Sequence, residues 1–239
     1  MLFLVDEKKK VIFGWNAKCG CSHLKILFHF LTDNTDLNTI HRGSDYYNLK
    51  ILDPLANYTV IMVIRNPYER LISGFLDKFC VRDIKQSEAN KHLGSKTKII
   101  PTFNNLISYI EDNTYIDCFW FTHHFYPQTY DGKKNKLYTE ILNRKDLIIY
   151  DLANIDYAFI ENLYKKEIPE NIKKFTGGHQ TSKLEPLEKD VSNLLLSEYE
   201  GYRPYTRCFY SEDIKARVDL IFKDDFKFFT ERGFNYQIS

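Results

Sequence analysis

The feature that most constrains the fold is a continuous apolar run at residues 58–64, which ends abruptly at Arg65. A run of this kind, rich in β-branched residues, is typical of a strand that is buried on both faces in a parallel sheet. Pro67 suits the first turn of a helix, and apolar residues at helical spacing then continue as far as Phe79. The sequence therefore predicts a strand that leads directly into a helix, with Arg65 at the carboxyl end of the strand.

A second segment of the same kind lies earlier in the chain. The apolar run Val11–Trp15 is followed by a loop of small residues and then by apolar residues at helical spacing, namely Leu24, Leu27, Phe28 and Leu31. Ser22 is predicted to cap this helix, because its hydroxyl can accept a hydrogen bond from an amide of the first turn. The pattern again predicts strand, loop and helix.

The rest of the chain continues this alternation. The sequence predicts a helix capped by Thr102 and ending at residue 113, a strand at residues 147–150, and helices at residues 156–166 and 211–230. The sequence contains neither an internal repeat nor a linker-like tract. These features predict an α/β fold with three layers around a central parallel sheet, in a single domain spanning residues 1–239.

The charge balance limits the possible partners. The chain has 33 Lys and Arg residues against 32 Asp and Glu, a net charge of +1, which excludes an overall field that would hold nucleic acid or an anionic membrane. No uninterrupted apolar stretch approaches the roughly 20 residues of a membrane span. Five cysteines without framework spacing suit a reducing compartment. The protein is therefore predicted to be cytoplasmic, unless the chain is a fragment of a longer anchored protein; its oligomeric state cannot be predicted.

The loop at residues 16–24 lies where an open α/β sheet binds ligands, after a strand and at the start of a helix. Backbone amides, the helix dipole and the Lys18 ammonium group favour an anion there. Gly20 permits close approach of the backbone, and the Ser22 hydroxyl can donate to a phosphate oxygen. The loop therefore predicts a phosphate site, and the alternative is an ordinary strand-to-helix turn with a surface lysine.

Two other interpretations of this loop are weaker. It is not the ATP-binding sequence G-x-x-x-x-G-K-[ST], since Lys18 precedes the glycine instead of following it. Cys19 and Cys21 form a C-x-C pair, but no second pair completes a four-ligand zinc site. We therefore interpret both cysteines as small loop residues and expect no metal.

Residues 17–24 and 65–73 together resemble the two signatures with which sulfotransferases bind 3′-phosphoadenosine 5′-phosphosulfate (PAPS). The first segment is similar to P-K-x-G-x-[ST]-x-L, with Ala17 in place of the proline, and the second to R-[DN]-P-[FY]-x-R-x-x-S. The resemblance is closest to the carbohydrate sulfotransferases and implies a fold related to P-loop kinases. It assigns the 5′-phosphosulfate to Lys18, Cys19, Gly20, Cys21, Ser22 and His23, and the 3′-phosphate to Arg65 and Ser73. Arg70 is expected to brace the second signature.

An aromatic segment with two histidines supplies the candidate for the catalytic base. Residues 124–127, H-F-Y-P, resemble the H-[WF]-x-P segment of the carbohydrate branch, so His124 is the hypothesised general base or acceptor contact, with His123 as the alternative. Neutral imidazole suits this role near pH 7. A structural histidine beside aromatic residues remains the other interpretation. His179, in a polar loop, is a candidate acceptor contact or a solvated residue.

The C-terminal segment at residues 218–229 has apolar residues at helical spacing and resembles the family's closing helix with its D-F-x-x-F sequence. We predict that it is core, with Phe222, Phe226 and Phe229 packed against the sheet, and that it has no part in the chemistry.

The predicted function is direct transfer of the sulfonyl group of PAPS to a hydroxyl of an acceptor, which the resemblance indicates is a carbohydrate. Lys18 would stabilise charge on the sulfonyl and bridging oxygens, and no metal would be needed. Two alternatives remain open from the sequence. One is an ATP-dependent small-molecule kinase of related fold, and the other is a catalytically silent module that binds a nucleotide or a carbohydrate.

Overall fold

The structure, a computed structural model, describes residues 2–33, 51–79, 102–112, 119–130, 136–175, 184–199 and 201–238. The chain forms two compact units. The first comprises Met1–Arg65 and Asp131–Gly178, and the second comprises Asn66–Tyr130 and His179–Ser239. The boundary at residues 65 and 66 falls inside the second of the two sequence signatures.

The first unit contains a sheet of four strands: β1 (Leu2–Asp6), β2 (Val11–Trp15), β3 (Thr59–Ile64) and β4 (Ile148–Asp151). The α-helices of the described residues are α1 (Cys21–Leu31), α2 (Pro67–Phe79), α3 (Phe103–Asp112), α4 (Phe119–Phe125), α5 (Lys136–Asn143), α6 (Tyr157–Tyr164), α7 (Glu170–Lys173), α8 (Glu212–Ile221) and α9 (Lys223–Thr230). The second unit has a short parallel pair, β5 (Glu185–Leu187) and β6 (Tyr202–Pro204).

The four strands lie in the order β1-β2-β3-β4, and β2, β3 and β4 are parallel. Strand β1 pairs antiparallel with β2 and was not predicted, because the charged turn that follows it at residues 7–10 hides a short strand of only five residues. The other strands confirm the predictions to within one residue at each end. A mostly parallel sheet is thus confirmed, with an antiparallel strand at one edge.

Helices cover both faces of this sheet. On one face, Phe13 of β2 and Ile61 of β3 pack in one cluster with residues of α1 and α6 such as Leu27. On the other face, Ile12 and Val60 pack with Tyr138 and Ile141 of α5. Successive strand residues point to opposite faces, which is why neighbours in the sequence belong to different clusters. The predicted three-layer α/β/α arrangement is therefore confirmed within the first unit.

The second unit is mainly helical, and its core is a separate apolar cluster. Members from α2, α3, α4 and α8 include Phe75, Phe103, Phe125 and Val218. Phe222 is fully buried in this cluster, and the ring of Phe226 packs against it. The prediction that this segment is core is confirmed for Phe222 and Phe229, which are both fully buried, and the packing of these rings against the sheet stays a prediction.

Among the described residues, no helix is both long enough and apolar enough to cross a bilayer.

Candidate functional site

The loop between β2 and α1 makes a tight turn in a conformation that few residues adopt. The Cys19 amide donates to the Asn16 carbonyl at 3.1 Å, which closes a four-residue turn. Lys18, third in this turn, has a φ of 69°, in the left-handed region that normally favours glycine. A lysine there carries backbone strain of about 1–2 kcal/mol.

Gly20 is the N-cap of α1, with φ 74° and ψ 31°, and no side chain caps the helix. The prediction of Ser22 as N-cap is therefore wrong: Ser22 lies in the first turn, because the left-handed conformation of Gly20 starts the helix two residues earlier. Gly20 is also closely packed. A Cβ at this position would overlap Leu152 Cδ1, just beyond β4, and would lie 3.5 Å from Leu152 Cγ. Both the conformation and the close contact with Leu152 favour glycine at this position.

Arg65 joins the two predicted anion-binding segments. It follows the last residue of β3, and its Nη1 donates to the carbonyl oxygen of Lys18 at 3.3 Å. Strands β2 and β3 are parallel neighbours, so their carboxyl ends lie at the same edge of the sheet. The first turn of α1, which begins at this edge, contains no acidic residue. Its amides lack acceptors within the helix. The edge is therefore suited to binding an anion.

The side chains of the remaining loop residues differ in their surroundings. Cys19 is fully buried, whereas Cys21 is half-buried, and neither forms a disulfide with a described residue. The His23 imidazole is buried against other parts of the first unit: its Nδ1 lies 3.3 Å from the Phe175 carbonyl oxygen, and its Nε2 lies 2.8 Å from the Tyr157 hydroxyl. Burial lowers the pKa of His23.

In the second unit, Ser73 lies half-buried on α2. Arg70, on the same helix, is fully buried and donates to two backbone carbonyls, that of Tyr126 at 2.8 Å and that of His123 at 2.9 Å. Arg70 thus braces the end of α4, where both candidate base residues lie. Arg70 was predicted to brace the second signature; its side chain extends from that signature and supports the segment with the histidines.

The same segment is held from the C-terminal side by Asp225. This carboxylate is fully buried on α9 and accepts from the amides of Gln128 and Thr129, each at 2.7 Å, and from the Thr129 hydroxyl at 2.8 Å. Burial raises the pKa of Asp225, while these bonds and the charge of Arg70 lower it. The prediction that the C-terminal segment is only core is therefore incomplete, because Asp225 fixes the turn that follows the histidines.

His123 and His124 are half-buried, with ring centroids 5.5 Å apart. His179 lies outside the described residues. The partners that sequence reasoning missed are Tyr157, Leu152 and Asp225. Only Asp225 had a local signal: it lies three residues after Phe222 and four before Phe229, on the apolar helical face, where a buried carboxylate needs a hydrogen-bonded partner.

A comparison with known families decides the affiliation. The model of the family described as "Sulfotransferase family" matches residues 1–230. The chain belongs to the sulfotransferase family. This confirms the resemblance drawn from residues 17–24 and 65–73, and it agrees with the α/β fold of the first unit.

Similar curated sulfotransferases come from mammals. Carbohydrate sulfotransferase 8 of Homo sapiens is 34% identical over 87 residues, which cover 31% of this chain and 20% of that protein. The Mus musculus protein of the same name is 33% identical over 87 residues, 31% of this chain and 21% of its own length. Carbohydrate sulfotransferase 9 of Homo sapiens is 34% identical with the same coverage as the first. This sulfotransferase chain thus matches about a fifth of each relative, and it matches no solved structure.

Proposed function

We propose that this member of the sulfotransferase family transfers a sulfonyl group from PAPS to a hydroxyl of a carbohydrate. The observation that carries the proposal is the hydrogen bond from Arg65 Nη1 to the Lys18 carbonyl, 3.3 Å long, at the edge where β2 and β3 end. It brings the Arg65 guanidinium of the second signature to the backbone of Lys18 in the first signature, within the first unit. The names of the curated relatives support a carbohydrate as the acceptor.

The residues of this edge fit a phosphorylated donor. Lys18 and Arg65 supply positive charge, and the first turn of α1 supplies amides and the positive end of a helix dipole. PAPS, when bound, supplies the sulfonyl group and a good leaving group. We assign its 5′-phosphosulfate to Lys18 and the loop at residues 19–23, and its 3′-phosphate to Arg65 and Ser73.

The chain's own residues then have distinct roles in the reaction. His124, or His123 in its place, accepts the proton of the acceptor hydroxyl as its oxygen bonds to sulfur. Lys18 and the first-turn amides stabilise the negative charge that grows on the 5′-phosphate oxygen as its bond to sulfur breaks. The proton ends on the imidazole, and the leaving group departs as 3′,5′-ADP. We assign acceptor contacts to His123 and His179.

Calorimetric titration with 3′,5′-ADP, beside ATP, tests the donor site. We expect the chain to bind 3′,5′-ADP in preference to ATP, and Arg65→Ala to weaken binding at least tenfold, because it removes a charge-assisted bond to phosphate. Arg207→Ala is the matched control, since the Arg207 side chain is 55% exposed and pairs with Glu188 in the second unit. A preference for ATP would instead support the kinase.

A transfer assay separates the enzyme from a silent module. The chain is incubated with PAPS labelled at sulfur and a panel of saccharides, and labelled saccharide is counted. Binding of 3′,5′-ADP without transfer to any acceptor would favour the silent module. The cytoplasmic location and the single-domain organisation stay predictions.

A further inference from the structure

The His23 side chain is engaged inside the protein at both of its ring nitrogens. Nδ1 faces the Phe175 carbonyl oxygen at 3.3 Å, and Nε2 faces the Tyr157 hydroxyl at 2.8 Å. Only 7% of His23 is exposed. A direct bond from this imidazole to a bound phosphate would therefore require breaking one of these two contacts.

Hydrogen counting fixes the form of the imidazole. A carbonyl oxygen can only accept, so Nδ1 must carry the hydrogen that points to Phe175. Burial lowers the pKa of His23 and favours the neutral ring, so with its hydrogen on Nδ1 the ring can only accept at Nε2. The Tyr157 hydroxyl has one hydrogen, which it donates to Nε2 at 2.8 Å in preference to its more distant neighbour, the Lys173 carbonyl oxygen at 3.2 Å. The other neutral tautomer would set a lone pair on Nδ1 against the Phe175 oxygen. Both contacts are thus satisfied by a neutral ring with its hydrogen on Nδ1.

These contacts tie the start of α1 to two segments far away in the sequence. Tyr157 is the first residue of α6, and Phe175 lies two residues beyond α7. The rings of His23 and Tyr157 also pack edge to face, with centroids 5.9 Å apart. Leu152 fills the space beside Gly20 at the same end of the helix. The first turn of α1 is therefore held in place by groups that are not part of the loop.

We propose that His23 and Tyr157 are positioning residues of the donor site: the imidazole and the hydroxyl orient the first turn of α1, whose amides bind the phosphosulfate. This inference rests on the proposed function. It replaces a direct contact between the His23 side chain and the donor by an indirect one through the helix.

Tyr157→Phe tests the proposal, because it removes the hydroxyl and leaves the ring. We expect it to raise the Kd for 3′,5′-ADP about fivefold to tenfold, as the loss of one hydrogen bond to a preorganised site would. Hydrogen exchange at the amides of residues 21–23 should become faster. Tyr164→Phe is the matched control on the same helix: its ring stacks on Phe13, and it should leave the Kd unchanged.

Rescue by a conservative variant separates positioning from simple stability. His23→Gln offers an amide oxygen to the Tyr157 hydroxyl and should retain binding within about threefold, whereas His23→Ala should not. In a Tyr157→Phe background the two His23 variants should bind equally, because the partner of the rescue is gone.

The outcomes are distinguishable. If the unsubstituted chain does not bind 3′,5′-ADP, the proposed function fails and this inference fails with it. If the unsubstituted chain binds 3′,5′-ADP, but Tyr157→Phe has the same Kd and the same rate of amide hydrogen exchange, the positioning role is refuted. If His23→Ala loses binding while Tyr157→Phe does not, the imidazole contacts the donor directly and the inference is wrong.

Discussion

Substituting Gly20 by alanine should damage the candidate site more than any other single methyl group added to a described glycine. Gly20 combines a φ of 74° with a neighbour, Leu152 Cδ1, that occupies the place of a Cβ. Alanine in the left-handed region costs about 1–2 kcal/mol. The Leu152 side chain would also have to leave its rotamer, at roughly 0.5–1.5 kcal/mol. We therefore expect a loss of about 1.5–3.5 kcal/mol in unfolding free energy.

Gly233 offers a control for the conformational part of this loss. It has a φ of 86° but no atom within 4 Å of a built Cβ, so Gly233→Ala should cost only the backbone strain. Urea denaturation of the two variants measures the difference, which is the cost of moving Leu152. Combining Gly20→Ala with Leu152→Ala should remove the clash. The loss of unfolding free energy in the double variant should then be smaller than the sum of the losses in the two single variants.

Donor binding should follow the same order. In Gly20→Ala, displacement of the first turn of α1 is expected to raise the Kd for 3′,5′-ADP at least tenfold. In Gly233→Ala, the Kd should be unchanged. Equal stability and equal affinity of the two variants would refute the reasoning, since the packing of Leu152 against Gly20 would then have no consequence.

Four further results are expected. His124→Ala should lower turnover about 100-fold or more without changing the Kd for 3′,5′-ADP, and an unchanged turnover would shift the base to His123. Asp225→Asn should lower the unfolding free energy by about 1–3 kcal/mol, measured by thermal melting, because the new side-chain NH₂ group faces backbone N–H donors. Because burial lowers the folded pKa of His23 below its unfolded value of 6.5, unfolding free energy should fall as pH drops below that value, and less so in His23→Gln. Lys18→Gly should abolish donor binding, but its unfolding free energy should be unchanged or up to about 1 kcal/mol higher than that of the unsubstituted chain. Lys18→Ala, which also lacks the ammonium group, is measured as the comparison.

The local parts of the site could be predicted from the sequence because their signals are local. An apolar run that ends at Arg65 gives both a strand and the position of the cation at its end, and the start of α2 at Pro67 follows from proline chemistry. The partner of His23 could not be predicted, since Tyr157 lies 134 residues away and carries no local pattern. Residue propensity predicted Ser22 as the N-cap. Gly20 is the N-cap instead, because glycine can adopt the left-handed conformation that begins the helix earlier.

The expected behaviour of Lys18 links strain to function. A left-handed backbone at φ 69° is strained for lysine, whereas glycine would adopt it without steric strain. The conformation is nevertheless held from both sides, by the turn that Cys19 closes onto Asn16 and by the bond from Arg65 to the Lys18 carbonyl. Glycine at this position would relieve the backbone strain but would lack the ammonium group. If Lys18→Gly raises the unfolding free energy but abolishes donor binding, the lysine is retained for its ammonium group. If Lys18→Gly still binds the donor, Lys18 is not a donor-binding residue.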